Sequence, residues 1–151
     1  MEKRLKQFLK GGTFTDVNTN RSYTMSRIRG KNNASTEIRF KMALVRSKLK
    51  GWTLNCGEMP GKPDVYFPFE KVAIFIDGCY WHGCPKCGHI PKTRSEFWEA
   101  KIKINQERDV AVDNILTTQG VRVVRIWEHE LVNNHLLYNK LNRIIKYLGV
   151  E

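Results

Sequence analysis

Apolar positions along the chain alternate between a helical period and short continuous runs, and the switches divide it into elements. From about Thr36 to Leu49, Ile38, Met42, Val45 and Leu49 recur at i, i+4, i+7 and i+11. That spacing predicts a helix with those four side chains inward, capped by Asn33 or Ser35 and ended by Gly51. Trp52-Thr53-Leu54-Asn55-Cys56 predicts a short strand. Asp64-Val65-Tyr66-Phe67 and Val72-Ala73-Ile74-Phe75-Ile76 flank a turn at Pro68-Phe69-Glu70-Lys71, which predicts a hairpin. Folding it symmetrically about that turn sets Asp64 across from Asp77 at the open end. A long helix follows, about Ser95 to Thr118, with Ser95 as cap, Phe97, Ala100, Ile104, Ala111 and Ile115 as buried face, and Gly120 closing it. Val121 to Trp127 predicts a strand, and about Leu136 to Leu148 a last helix that buries Leu137, Leu141, Ile144 and Leu148. Helix, three strands, helix, strand, helix is the order of an α/β domain with a mixed sheet. Ahead of it, Met1–Lys10 carries Leu5, Phe8 and Leu9 among basic residues, the pattern of a frayed amphipathic helix or of an arm touching phosphate. Gly11 to Asn20 reads as a loop, so 1–20 is an N-terminal arm and 21–151 a single domain.

Composition narrows the setting. A chain of 151 residues with 41% hydrophobic content can bury a core of its own. No apolar run approaches the ~20 residues of a membrane span, and the charged N-terminus lacks the apolar segment of a signal peptide. The expectation is a cytoplasmic protein in a reducing compartment, with no membrane partner. There, clustered cysteines read as metal ligands rather than disulfides. A net charge of +11 points to a polyanion, nucleic acid first. Arg21 to Lys31 is basic with Tyr23 and Met25 interleaved, either a solvated face or a DNA-contacting segment with an apolar probe.

The chemistry gathers after the apolar strand. Val72–Ile76 runs into Asp77-Gly78-Cys79-Tyr80-Trp81-His82-Gly83-Cys84-Pro85-Lys86-Cys87. Cys84 and Cys87 have the C-x-x-C spacing with which one turn presents two zinc ligands, and Cys79 adds a third thiol. His89 is the nearest fourth ligand but follows Cys87 so closely that strain is expected. His129, just past the last strand, is preferred, because a mixed sheet ends that strand near the loop. Four protein ligands make the site structural. Cys56 lies far from the others in sequence and reads as a small buried hydrophobe.

Asp64 and Asp77 form a separate expectation. Paired carboxylates at strand ends bind hard cations such as Mg²⁺, which can polarise a phosphate. His82, if the zinc does not take it, is free to act as general base toward water. Glu37, in the first turn of its helix, complements the helix dipole. Tyr80, Trp81 and Trp98 are core residues or, beside a DNA-cutting site, a wedge that unstacks base pairs. A zinc-stiffened DNA-binding module without catalysis is the rival reading. Two acids and a histidine where binding alone would place Lys or Arg argue against it.

These residues resemble the very-short-patch-repair (Vsr) DNA mismatch endonucleases. The resemblance rests on Pro63-Asp64, the run from Phe75 to Pro85, Pro91-Lys92-Thr93, Glu96-Phe97-Trp98, Lys101-Ile102, Asn105, Arg108-Asp109 and Trp127-Glu128, with Met25 to Asn32 and Glu37 upstream. It implies a restriction-endonuclease-like fold of the PD-(D/E)xK superfamily, a mixed sheet flanked by helices with a structural zinc site. It implies Mg²⁺-dependent nicking of duplex DNA 5′ of the thymine in a T:G mismatch. Relatives of this type also include homing and restriction nucleases that cut matched duplexes. By the resemblance Asp64 is the principal Mg²⁺ ligand, with Ile76 offering its backbone carbonyl and Asp77 taking a second catalytic position. His82 is then the general base, Glu37 supports the site through hydrogen bonding, and Tyr80, Trp81 and Trp98 intercalate while Met25 enters from the other groove. Cys79, Cys84, Cys87 and His129 hold zinc. The resemblance further implies a monomer in bacterial cytoplasm at the nucleoid, with the mismatch-repair machinery as a partner. The chain departs from the best-known member at Asp77, where that protein has a histidine, so the sequence leaves the number of Mg²⁺ ions open. It also has one residue more between the second and third zinc ligands, and Thr36 where many relatives carry proline.

Overall fold

The computed structural model describes residues 3–8 and 36–149. Met25, most of the expected arm and the Asn33 and Ser35 caps lie outside those residues. Within them, a 3-10 turn at Lys3–Phe8 precedes α1 (Thr36–Arg46), β1 (Thr53–Leu54), β2 (Val65–Phe67) and β3 (Val72–Asp77). Then come α2 (Ser95–Thr118), β4 (Arg122–Trp127), α3 (Glu128–Val132) and α4 (Asn134–Leu148). The strands form one sheet in the order β1-β2-β3-β4, antiparallel except for the parallel pair β3–β4. A parallel pair needs a crossover, and α2 supplies it. This is the mixed α/β sheet that the sequence predicts.

Alternation along β3 divides the core into two layers. Val72, Ile74 and Ile76 face Phe40 and Leu44 of α1 and Leu137, Leu141, Ile144 and Leu148 of α4. Ala73 and Phe75 face Val112 and Leu116 of α2. The four apolar residues expected on the last helix are all buried, and Asn133 caps it by accepting from the Leu136 N–H at 3.2 Å. A third, smaller cluster joins Leu5 of the N-terminal turn to Phe97 and Ile104 of α2, with Arg4 bridged to Glu107 at 2.7 Å. Among the described residues no helix is long and apolar enough to cross a membrane.

Five expectations are corrected here. The buried face of α1 is Thr36, Phe40 and Leu44, while Ile38, Met42 and Val45 are exposed. Two apolar stripes lie on this helix, and the larger Phe40 is the one the sheet selects. The helix also ends earlier than Leu49, at Arg46, where Lys48 turns left-handed and returns the chain. On α2, Ala111 and Ile115 face solvent and Val112 and Leu116 take the inward positions; Arg94, not Ser95, is the N-cap residue. The hairpin register is the fifth correction. Val65 pairs with Ile74 and Phe67 with Val72, because the turn closes at Lys71 in the left-handed region. One further step sets Asp64 opposite Phe75, two residues short of Asp77.

Candidate functional site

The parallel register ends β3 and β4 side by side, with Asp77 level with Trp127. The loop after Asp77 therefore lies against the start of α3, which carries His129. This is why a histidine distant in sequence reaches the three thiols. His129 Nδ1 lies 3.2 Å from Cys79 Sγ, 3.4 Å from Cys87 Sγ and 3.6 Å from Cys84 Sγ. Cys87 Sγ is 3.6 Å from Cys84 Sγ. The four side chains make a compact set able to hold a metal ion. His89 instead packs edge-on to Tyr80, 5.8 Å between centroids. Burial pushes the Cys79 thiol up to about 12. Burial acts the same way on Cys84 but is outweighed by backbone N–H groups of Cys87 and Lys86, which lower it. Gly88 lets the turn close: a Cβ there would lie 2.5 Å from the Cys84 carbonyl oxygen. Cys56 is half-buried and apart from this cluster.

A second cluster joins Asp77, His82 and Asp109, again with the spacing of a cation site. His82 Nδ1 lies 2.5 Å from Asp109 Oδ2 and 3.9 Å from Asp77 Oδ1. A carboxylate only accepts, so Nδ1 carries a proton, and in the neutral ring Nε2 is the nitrogen with the lone pair. The loop is held in place by α2: Asn105 Nδ2 donates to the Trp81 carbonyl at 2.8 Å and Gln106 Nε2 to the His82 carbonyl at 3.1 Å. Gly83 sits under this contact at φ +65, and a Cβ would lie 2.8 Å from both Gln106 Nε2 and Ile102. Asp77 is buried, and burial raises its carboxyl above the usual range against the pull of Arg125 and His82. Arg125 donates through Nη1 to both Asp77 oxygens, at 2.9 and 3.1 Å.

Asp64 is in neither cluster. Its Oδ2 accepts from the Ile76 N–H at 2.7 Å, and it lines an open cavity of about 230 Å³ with Glu37, Lys41, Asn55 and Ile76. The expected face-to-face pair of Asp64 and Asp77 is thus replaced by two settings, one open and one buried. Tyr80, Trp81 and Trp98 do come together edge to face, with centroids 5.0 to 5.9 Å apart and ring planes inclined by 62 to 85°. Asp109, placed by the sequence on a polar face of α2 and among the residues that carry the resemblance, and Arg125 join the site without being expected there. Asn105, Asp109 and Asp113 recur every four residues on α2, a polar stripe in a helix otherwise read for its apolar face. Arg125, inside the apolar strand Val121 to Trp127, was the matching signal.

A family model described as DNA mismatch endonuclease Vsr matches residues 14–89. A type II nicking enzyme, V.XorIIP of Xanthomonas oryzae pv. oryzae, is 33% identical over 127 residues, 83% of this chain and 91% of that protein. The chain belongs to the Vsr family. Other family members match shorter segments. The type II nicking enzyme V.NaeI of Lentzea aerocolonigenes is 52% identical over 69 residues, 46% of this chain and 42% of its own. The DNA mismatch endonuclease Vsr of Escherichia coli is 40% identical over 72 residues, 46% of each. The chain thus spans less than half of two of these Vsr relatives and nearly all of the third.

Proposed function

We propose that this chain is a DNA endonuclease that hydrolyses one phosphodiester bond in duplex DNA, nicking 5′ of the mispaired thymine in T:G. The observation that carries the reading is the His82–Asp109 dyad beside the three-ring aromatic cluster. With Nδ1 bonded to Asp109, His82 Nε2 can take a proton from an attacking water while the P–O bond to the leaving oxygen breaks. The imidazolium that forms faces Asp109 and Asp77, which stabilise it.

Asp64 and the Ile76 carbonyl would hold Mg²⁺ in the open cavity, with Glu37 supporting them. Bound there, the metal would polarise the phosphate and stabilise the leaving oxygen. The cavity leaves room for the waters Mg²⁺ retains. Asp77, expected from the sequence as a further metal ligand, is better suited to positioning, since Arg125 takes both its oxygens.

Cys79, Cys84, Cys87 and His129 would hold structural Zn²⁺. Tetrahedral bonds to zinc set S···N near ~3.6 Å and S···S near ~3.8 Å, close to the separations of 3.2 to 3.6 Å found here. With all four positions filled, that ion stiffens the loop and takes no part in the cut. Tyr80, Trp81 and Trp98 would enter the base stack, which costs least at a mismatched step. The net charge of +11 suits a DNA backbone.

The test is a nicking assay on T:G and T:A duplexes of one sequence, with Mg²⁺ or EDTA. Cleavage of one strand of T:G alone, lost in EDTA, supports the reading. Equal cutting of both duplexes on both strands would transfer the chain to the restriction type, and binding without cutting to a DNA-binding module.

A further inference from the structure

The carboxylates around His82 have the spacing of a cation site, and a cation of the chain's own is already among them. Arg125 Nη1 donates to both oxygens of Asp77 and lies 3.5 Å from Asp109 Oδ1. On its other edge, Nε donates to both oxygens of Asp113 at 3.1 Å, and Nη2 to Asp113 Oδ1 at 2.8 Å. Nη2 also reaches the Asp109 carbonyl at 3.3 Å, and the guanidinium carbon lies 4.8 Å over the Phe75 ring. Asp113 and Phe75 thus fix the plane of the fork, and the fork fixes Asp77 and Asp109.

We propose that Arg125 occupies the place of a divalent cation among Asp77, His82 and Asp109, so that this cluster holds no catalytic metal ion and its cation orients the base instead. This deepens the endonuclease reading and rests on it. Room is the first reason. Mg²⁺ keeps several of its waters, and Asp77 is 5% exposed, whereas Asp64 opens onto a cavity of about 230 Å³. Charge is the second. A guanidinium stays protonated, so an ion bound at Asp77 would meet a fixed positive charge a few ångströms away. Geometry is the third. The fork turns both Asp77 oxygens toward β4 and leaves Asp109 Oδ2 to His82, so Arg125 is a positioning residue for the base.

The test counts ions and does not depend on cutting. The zinc-loaded chain is titrated with Mn²⁺, and free ion is followed by electron paramagnetic resonance. The same number of Mn²⁺ per chain is expected in the wild type and in Asp77→Asn, and none in Asp64→Asn. An ion lost in Asp77→Asn would overturn the Arg125 assignment and leave the endonuclease reading standing. No ion in the wild type, or an ion and T:G nicking retained in Asp64→Asn, would overturn the metal site on which both rest. For positioning, Arg125→Met should lower kcat about 10- to 100-fold with KM for duplex DNA unchanged, and Arg125→Lys should recover part of it. An unchanged kcat in Arg125→Met would also overturn it. Should that variant not fold, the ion counts of wild type and Asp77→Asn decide alone.

Discussion

His82 Nδ1 and Asp109 Oδ2 are 2.5 Å apart, joining a loop at the end of β3 to the middle of α2 across 27 positions of sequence. The contact fixes which imidazole nitrogen is protonated. His82→Ala should therefore lower nicking about 10²- to 10⁴-fold, with duplex affinity and zinc content retained. Asp109→Asn should give a smaller loss in the same direction, because the amide holds the ring without stabilising its positive charge. Single-turnover nicking alongside a binding titration checks both.

Zinc removal should loosen the loop and leave the sheet. Elemental analysis is expected to find one Zn per chain, and Cys84→Ser or His129→Ala to lose it along with several degrees of melting temperature, since metal affinity is folding free energy. His89→Ala should keep its zinc, because His89 packs on Tyr80 away from the cluster. Zinc lost in His89→Ala and kept in His129→Ala would reverse the ligand assignment.

Trp81 should act on discrimination. A base stacked on an aromatic ring contributes about 1–3 kcal/mol, and the three-ring cluster presents such a surface. Trp81→Ala is expected to lower the T:G nicking rate and shrink the ratio of T:G to T:A, with metal dependence intact. The ratio measured in parallel on both duplexes decides this.

Duplex affinity should fall steeply with salt. Each phosphate neutralised contributes a slope of about −0.9 in log affinity against log salt, and a chain of +11 neutralises several. A flat salt dependence in a filter-binding or anisotropy titration would contradict the DNA reading.

The N-terminal turn should contribute to stability through one side chain. Leu5 is 2% exposed against Phe97 and Ile104. Leu5→Ala is expected to cost about 2–5 kcal/mol by urea denaturation. An unchanged midpoint would place the turn off the core.

What the sequence determined by itself is whatever a local period or spacing encodes. The bounds of α2, the buried side of α4, the cysteine spacing and the run from Asp77 to Pro85 needed only near neighbours to be read. Tertiary structure decided the rest. α1 carries two apolar stripes, and only the sheet beneath it chooses Phe40 and Leu44 over Ile38 and Met42. The turn at Lys71 shifts the hairpin by two residues, which separates Asp64 from Asp77. The parallel pairing of β3 with β4 brings His129 to the thiols and Arg125 to Asp77. These contacts join residues nearly fifty apart, and their partners are set by sheet register and crossover packing, which no local pattern specifies.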